Sequence, residues 1–126
     1  MGPYLDLQTT QSIINKGFDP IKDVEIMGDY YYQNDKLVYW EFLEKTKDDG
    51  SNKPIYQIHI YDALKWLRGE KKIHIVVDFD KDMIWYYQIA LYNTSEYCNN
   101  CSYEKHYNSY EEATLAGIKY VLDNLI

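Results

Sequence analysis

Cys98 and Cys101 stand two residues apart, and His106 and Glu111 follow, each after a gap of four residues. Two thiolates at that spacing can reach one tetrahedral zinc ion, and a histidine and a carboxylate can complete the set. The order copies a zinc knuckle with glutamate in place of the last cysteine. Against a metal site stand the missing glycines of a knuckle and the position of Glu111 at the start of a predicted helix, so two free loop thiols is the favoured reading. A redox pair is disfavoured as well, because Cys98 and Cys101 lie mid-loop among polar residues and not at a helix N-terminus. No cofactor is expected.

The other candidates for chemistry are thinner. Asp78, Asp80 and Asp82 alternate at a turn, but no glycine follows them and Ile89 stands where a calcium loop needs glutamate. A solvated turn is expected. His59 and His74 have nothing in sequence that brings them to Cys98. No G-x-S-x-G, phosphate loop or dinucleotide fingerprint is present, and the six glycines are scattered. The expectation is a protein that is not an enzyme.

Charge and aromatic content point instead to binding. The 126-residue chain carries a formal net charge of −7 and 15 tyrosines. An acidic chain lacks the basic stripe that phosphate contacts need, so direct nucleic-acid binding is not expected, nor is an anionic membrane surface. Residues 19–50 hold nine acids and four lysines, net −5, whereas residues 51–75 hold five basic residues and two acids, net +3. Asp29, Asp35, Glu41, Glu44, Asp48 and Asp49 lie in the acidic stretch around Tyr30, Tyr31 and Tyr32. Tyrosine has an apolar body and a polar tip, which suits interfaces. Three consecutive tyrosines cannot all face one way on a strand, so at least one is exposed. Lys65, Arg68, Lys71 and Lys72 form the basic cluster.

These residues need elements to hold them. Leu7 to Phe18 reads as a helix capped by Thr9 or Thr10, with Gly17 near its end. Val24 to Tyr32 and Leu37 to Leu43 read as strands joined at Asn34-Asp35, with Val38, Trp40 and Phe42 on one face. Glu44 to Lys53 reads as an exposed loop and Ile55 to Ile58 as a short strand. Tyr61 to Arg68 reads as a helix stopped by Gly69. Its apolar stripe is Ile60, Ala63, Leu64 and Leu67, which leaves Trp66 as an exposed anchor. Ile73 to Phe79 and Met83 to Tyr92 alternate as a second hairpin. Ser109 and Glu112 form a capping box for a helix over Tyr110 to Leu125, and Gly117 lets that helix lie close on a sheet. The sum is a single α+β domain, 1–126. It has an antiparallel sheet from two hairpins with helices on one face, in the order α-β-β-(β)-α-β-β-α.

Three segments, "SIINKGFDP", "DALKWLRGEKKIHIVV" and "YNSYEEATLAGIKYVLDNLI", together resemble a group of small proteins of phages and prophages of Bacteroidetes, for which no activity is assigned. The resemblance covers most of the chain outside residues 44–54 and 93–106. It implies a phage accessory protein working inside a bacterial cell, and it transfers no functional residues. The absence of a signal sequence or apolar span agrees with a cytoplasmic protein.

The leading expectation is a non-enzymatic module that binds a host protein through Asp29, Tyr30, Tyr31, Tyr32, Asp35, Glu41, Glu44, Asp48, Asp49 and Trp66. Carboxylates along a rigid sheet would imitate a phosphate backbone and occupy the basic channel of a nucleic-acid enzyme, such as a host defence nuclease. One alternative is a self-assembling phage component, a homodimer in which the basic cluster meets the acidic hairpin. The other is a small-molecule pocket lined by Trp40, Trp66 and Trp85.

Overall fold

A computed structural model describes residues 3–44, 53–80, 82, 84–91 and 107–126. In chain order the elements are α1 (Leu7–Asn15), β1 (Tyr30–Gln33), β2 (Lys36–Tyr39), a short 3-10 turn (Trp40–Phe42), β3 (Ile55–Tyr56), α2 (Ile60–Glu70), β4 (Ile73–Phe79), β5 (Trp85–Leu91) and α3 (Tyr110–Asn124). The α+β class and the element order match the sequence reading. The hairpins do not share one sheet, however. β2-β1-β3 form a three-stranded antiparallel sheet, and β4-β5 a separate two-stranded one.

The core belongs to the second hairpin and the helices. In the antiparallel register of β4 and β5, Ile73, Ile75, Val77 and Phe79 lie opposite Leu91, Ile89, Tyr87 and Trp85 on one face. Ile73, Ile75, Tyr87 and Ile89 of that face are buried with Ala63, Trp66 and Leu67 of α2, Ile13 of α1, and Leu115, Ile118, Val121 and Leu122 of α3. Gly117 is what brings α3 so close. A Cβ built there would sit 2.9 Å from Ile75 Cγ2 and 3.2 Å from Tyr87 Cγ.

Local signals explain most element ends. Phe18 N–H donates to the Ile13 carbonyl and Gly17 N–H to that of Ile14, at 3.1 and 3.0 Å. Gly17 has φ +113°, the left-handed residue of a Schellman stop. At the start of α3 the Ser109 hydroxyl accepts from Glu112 N–H at 3.1 Å. Several boundaries differ from the sequence reading, with α1 ending at Asn15 and β3 at Tyr56. The N-cap of α1 is Asp6, whose Oδ1 accepts from Thr9 N–H at 2.8 Å. Thr9 and Thr10 are buried helical residues instead. Gly69 does not stop α2, which runs on to Glu70 and ends where Lys72 takes φ +58°. The strands of the first hairpin are much shorter than their β-prone runs, because β1 begins only at Tyr30 and the chain coils at Trp40.

Asp6 also pairs with Lys119 of α3 across 2.8 Å. Burial works to raise its carboxyl, but the hydrogen bonds from Lys119 and Thr9 outweigh it and hold the group below the ordinary aspartate value of 3.8. A depressed carboxyl stabilises the fold above its unfolded-state value and loses that contribution as pH falls through the folded one. Melting temperature measured from pH 7 down to pH 3 should therefore drop, and Asp6→Asn, which keeps the cap but not the ion pair, should flatten the curve. Asp6→Ala should cost about 1 kcal/mol at pH 7 through the lost cap.

Candidate functional site

The three-stranded sheet stands apart from the core: among the described residues no buried apolar side chain comes from it. Its hairpin turns at Asn34-Asp35, with φ +52° and +63°. Positive φ at both central residues is the two-residue turn whose twist matches that of the strands. Below the turn, Tyr30 lies opposite Tyr39, Tyr31 opposite Val38, and Tyr32 opposite Leu37. On its other side Tyr31 pairs with Tyr56 and Tyr32 with Ile55.

This arrangement sorts the tyrosines. Tyr32 is half-buried, and its hydroxyl donates to the Leu5 carbonyl at 3.1 Å, tying the sheet to the body of the fold. Tyr31 is half-buried with its ring edge-on to Tyr56 at 4.8 Å. Burial first, then Tyr56 and Asp29, push the Tyr31 hydroxyl above its usual value, so it stays a neutral donor. Tyr30 is exposed and meets the ring of Tyr39 at 5.5 Å. Tyr39 in turn lies 6.1 Å from both Trp40 and Phe42. Trp40 is 52% and Phe42 73% exposed.

Trp40 and Phe42 are corrections to the sequence reading. Trp40-Glu41-Phe42 alternates as a strand would, and the sequence reading put Trp40 and Phe42 on one strand face with Val38. The 3-10 turn replaces that strand, and both rings face water. The clamp behind the turn is Gln33, which is buried. Its side-chain amide donates to the Glu44 carbonyl and accepts from Glu44 N–H, both at 3.0 Å. That two-way bond pulls the chain back across the hairpin after Phe42. No alternation pattern encodes it, so the outward aromatics were not legible in advance.

Carboxylates flank the aromatic group in sequence. Asp29, Asp35, Glu41 and Glu44 are all exposed, and Trp40 N–H donates to the Asp29 carbonyl at 2.8 Å. Asp48 and Asp49 lie outside the described residues. Trp66 does not belong to the surface at all. It is 6% exposed, packed edge-on to Phe18 at 5.8 Å, with Lys71 Nζ 5.4 Å over its ring. Phe18 turns in after the Gly17 stop and supplies the neighbour that a helix-stripe argument leaves out. The three tryptophans keep separate company, with Trp85 against Phe79 and Tyr110. An apolar groove of about 370 Å³ lies elsewhere, lined by Ile14, Pro20, Ile21, Pro54, Ile55 and Tyr56, with Lys53 the charged group among its described lining residues.

Of the proposed zinc ligands, Cys98, Cys101 and His106 lie outside the described residues, and Glu111 is half-buried in the first turn of α3. The carboxylate of Asp80 is taken up by its own turn, accepting from Asp82 N–H at 2.8 Å and Ile84 N–H at 3.2 Å. In the basic cluster Lys65 is ion-paired with Glu25, which holds its ammonium above the usual lysine value. Among the described residues no group of three metal-ligating side chains converges. No described helix is long and apolar enough to cross a membrane.

No protein-family model, curated protein or solved structure matches this chain.

Proposed function

We propose that this protein is a non-enzymatic binding module that docks its first hairpin onto a basic protein surface. The observation that carries the reading is the ring group of exposed Tyr30, Trp40 and Phe42 around half-buried Tyr39, held outside the core and flanked in sequence by Asp29 and Glu41. Aromatic rings packed on one another but open to water have no folding role that explains their exposure, and they supply large contact area at low entropic cost. The carboxylates around them supply partner choice and a salt-sensitive association rate more than affinity. A surface of this charge fits a protein whose own ligand is a polyanion. A nucleic-acid enzyme is the partner class, and the resemblance to phage proteins makes a host defence nuclease the specific candidate.

The test is affinity capture from bacterial lysate at low and high salt, with two variants. Trp40→Ala combined with Phe42→Ala should lose the captured protein at every salt concentration. Asp29→Lys combined with Glu41→Lys should lose it at low salt, where wild type binds best. Equal recovery by wild type and both variants would end the reading.

A further inference from the structure

The three-stranded sheet has an edge, and its chemistry can be read from the register. Lys36 and Val38 lie opposite Gln33 and Tyr31, and Trp40 N–H bonds to the Asp29 carbonyl. Antiparallel ladders alternate between hydrogen-bonded and non-bonded pairs. Lys36 and Val38 therefore turn their backbone groups toward β1, as does the N–H of Trp40, whose carbonyl instead accepts from Leu43 N–H in the 3-10 turn. The N–H and C=O of Leu37 and Tyr39 point the other way, and no hydrogen bond engages them among the described residues. Both side chains lie on the face of Tyr30, and Leu37 is exposed. Asp35 stands two residues before Leu37 and Glu41 two residues after Tyr39, and both are exposed.

We infer that the outer edge of β2 accepts an extended basic segment of the partner as an added antiparallel strand. The inference rests on the proposed docking hairpin and names what that hairpin takes. Main-chain bonds to Leu37 and Tyr39 give the contact its register. Side chains on one face of an added strand recur every second residue. Its two central residues on that face meet Leu37 and Tyr39 and are apolar. The residues beyond them approach the two ends of β2, where Asp35 of the turn and Glu41 of the 3-10 turn carry exposed carboxylates, and are lysine or arginine. The pattern is basic-x-apolar-x-apolar-x-basic. A second copy of this chain is the wrong occupant, because antiparallel pairing of β2 with β2 would bring the Asp35 end of one copy against the Glu41 end of the other, like charge on like charge.

The probe is the synthetic peptide Lys-Thr-Val-Thr-Val-Thr-Lys added to the full chain. Amide exchange should slow about tenfold or more at Leu37 and Tyr39 and stay unchanged at Val38, whose N–H is already paired. N-methylation of the two valines should weaken binding about tenfold or more, whereas N-methylation of the threonines, whose N–H groups face away, should not. Leu37→Pro removes one outward donor without touching the β1 ladder and should also weaken the peptide. Absence of saturable binding at millimolar peptide, or binding indifferent to valine methylation, would overturn strand addition. Protection of the same two amides in a concentration-dependent dimer would overturn it in favour of self-pairing. If Leu37→Pro still captures the lysate protein and the Trp40→Ala, Phe42→Ala variant does not, the docking face stands and the added strand falls.

Discussion

Adding one methyl group at Gly117 should lower stability, and adding the same group at Gly69 should raise it. Both glycines are helical, so alanine offers each about 1 kcal/mol in helix propensity. Their surroundings decide the sign. At Gly69 a Cβ meets nothing within 4 Å, so Gly69→Ala should stabilise by about 0.5–1 kcal/mol. At Gly117 the Cβ would press on Ile75 Cγ2 at 2.9 Å and Tyr87 Cγ at 3.2 Å. Both atoms are one bond from their own Cβ, so neither swings aside. Relief requires α3 to lift off the β4–β5 hairpin, and overpacking of this kind costs about 1–3 kcal/mol. Gly117→Val adds two further carbons and a β-branched penalty, and should exceed about 3 kcal/mol. Chemical denaturation of the three variants checks this. Equal effects of alanine at the two positions would mean that α3 does not sit as close as described.

Gly117 shows how far sequence reasoning reaches in this chain. A glycine inside a helical pattern predicts a close approach, and the approach is there. The second hairpin was legible for the same kind of reason. Ile73 to Phe79 alternates cleanly, and the partner strand faces it in register, so one periodicity fixes both elements. Where the outcome depends on a contact from far along the chain, pattern failed. Trp66 sits off its helix's apolar stripe, yet Phe18 covers it. Trp40 and Phe42 alternate as core residues, yet the Gln33–Glu44 clamp turns them out. The candidate surface was half legible: its charges and the exposure of at least one of Tyr30, Tyr31 and Tyr32 could be read from the sequence, whereas Trp40 and Phe42 were read as residues of a strand that the 3-10 turn replaces. The stranded position of the first sheet was not legible, since nothing in either hairpin's own sequence states whether the two sheets join.

The second large effect is expected at Asp62, where fold and proposed function meet. Its side chain is 1% exposed. Its Oδ1 accepts from Glu25 N–H and its Oδ2 from Ile26 N–H, both at 3.1 Å. Residues 24–29 form no helix or strand, so they have no ladder to satisfy those donors. The carboxylate stands in for one, and the Glu25–Lys65 ion pair adds a second tie between the same segment and α2. That pair is half exposed and contributes little. Asp62→Ala strips an acceptor from two backbone donors at once. A hydrogen bond to a charged group contributes about 1.5–3 kcal/mol, so a loss of about 3–4 kcal/mol is expected. Asp62→Asn keeps one acceptor oxygen and should lose about half as much. The segment leads directly into Asp29 and Tyr30, so loosening it frees the entry strand of the docking hairpin. Partner capture should then weaken for Asp62→Ala even at temperatures where the core remains folded, and amide exchange at residues 25 and 26 should rise before that of β4 and β5. A variant that melts lower with unchanged exchange at those two amides would show that Asp62 stabilises α2 alone and does not tether the hairpin.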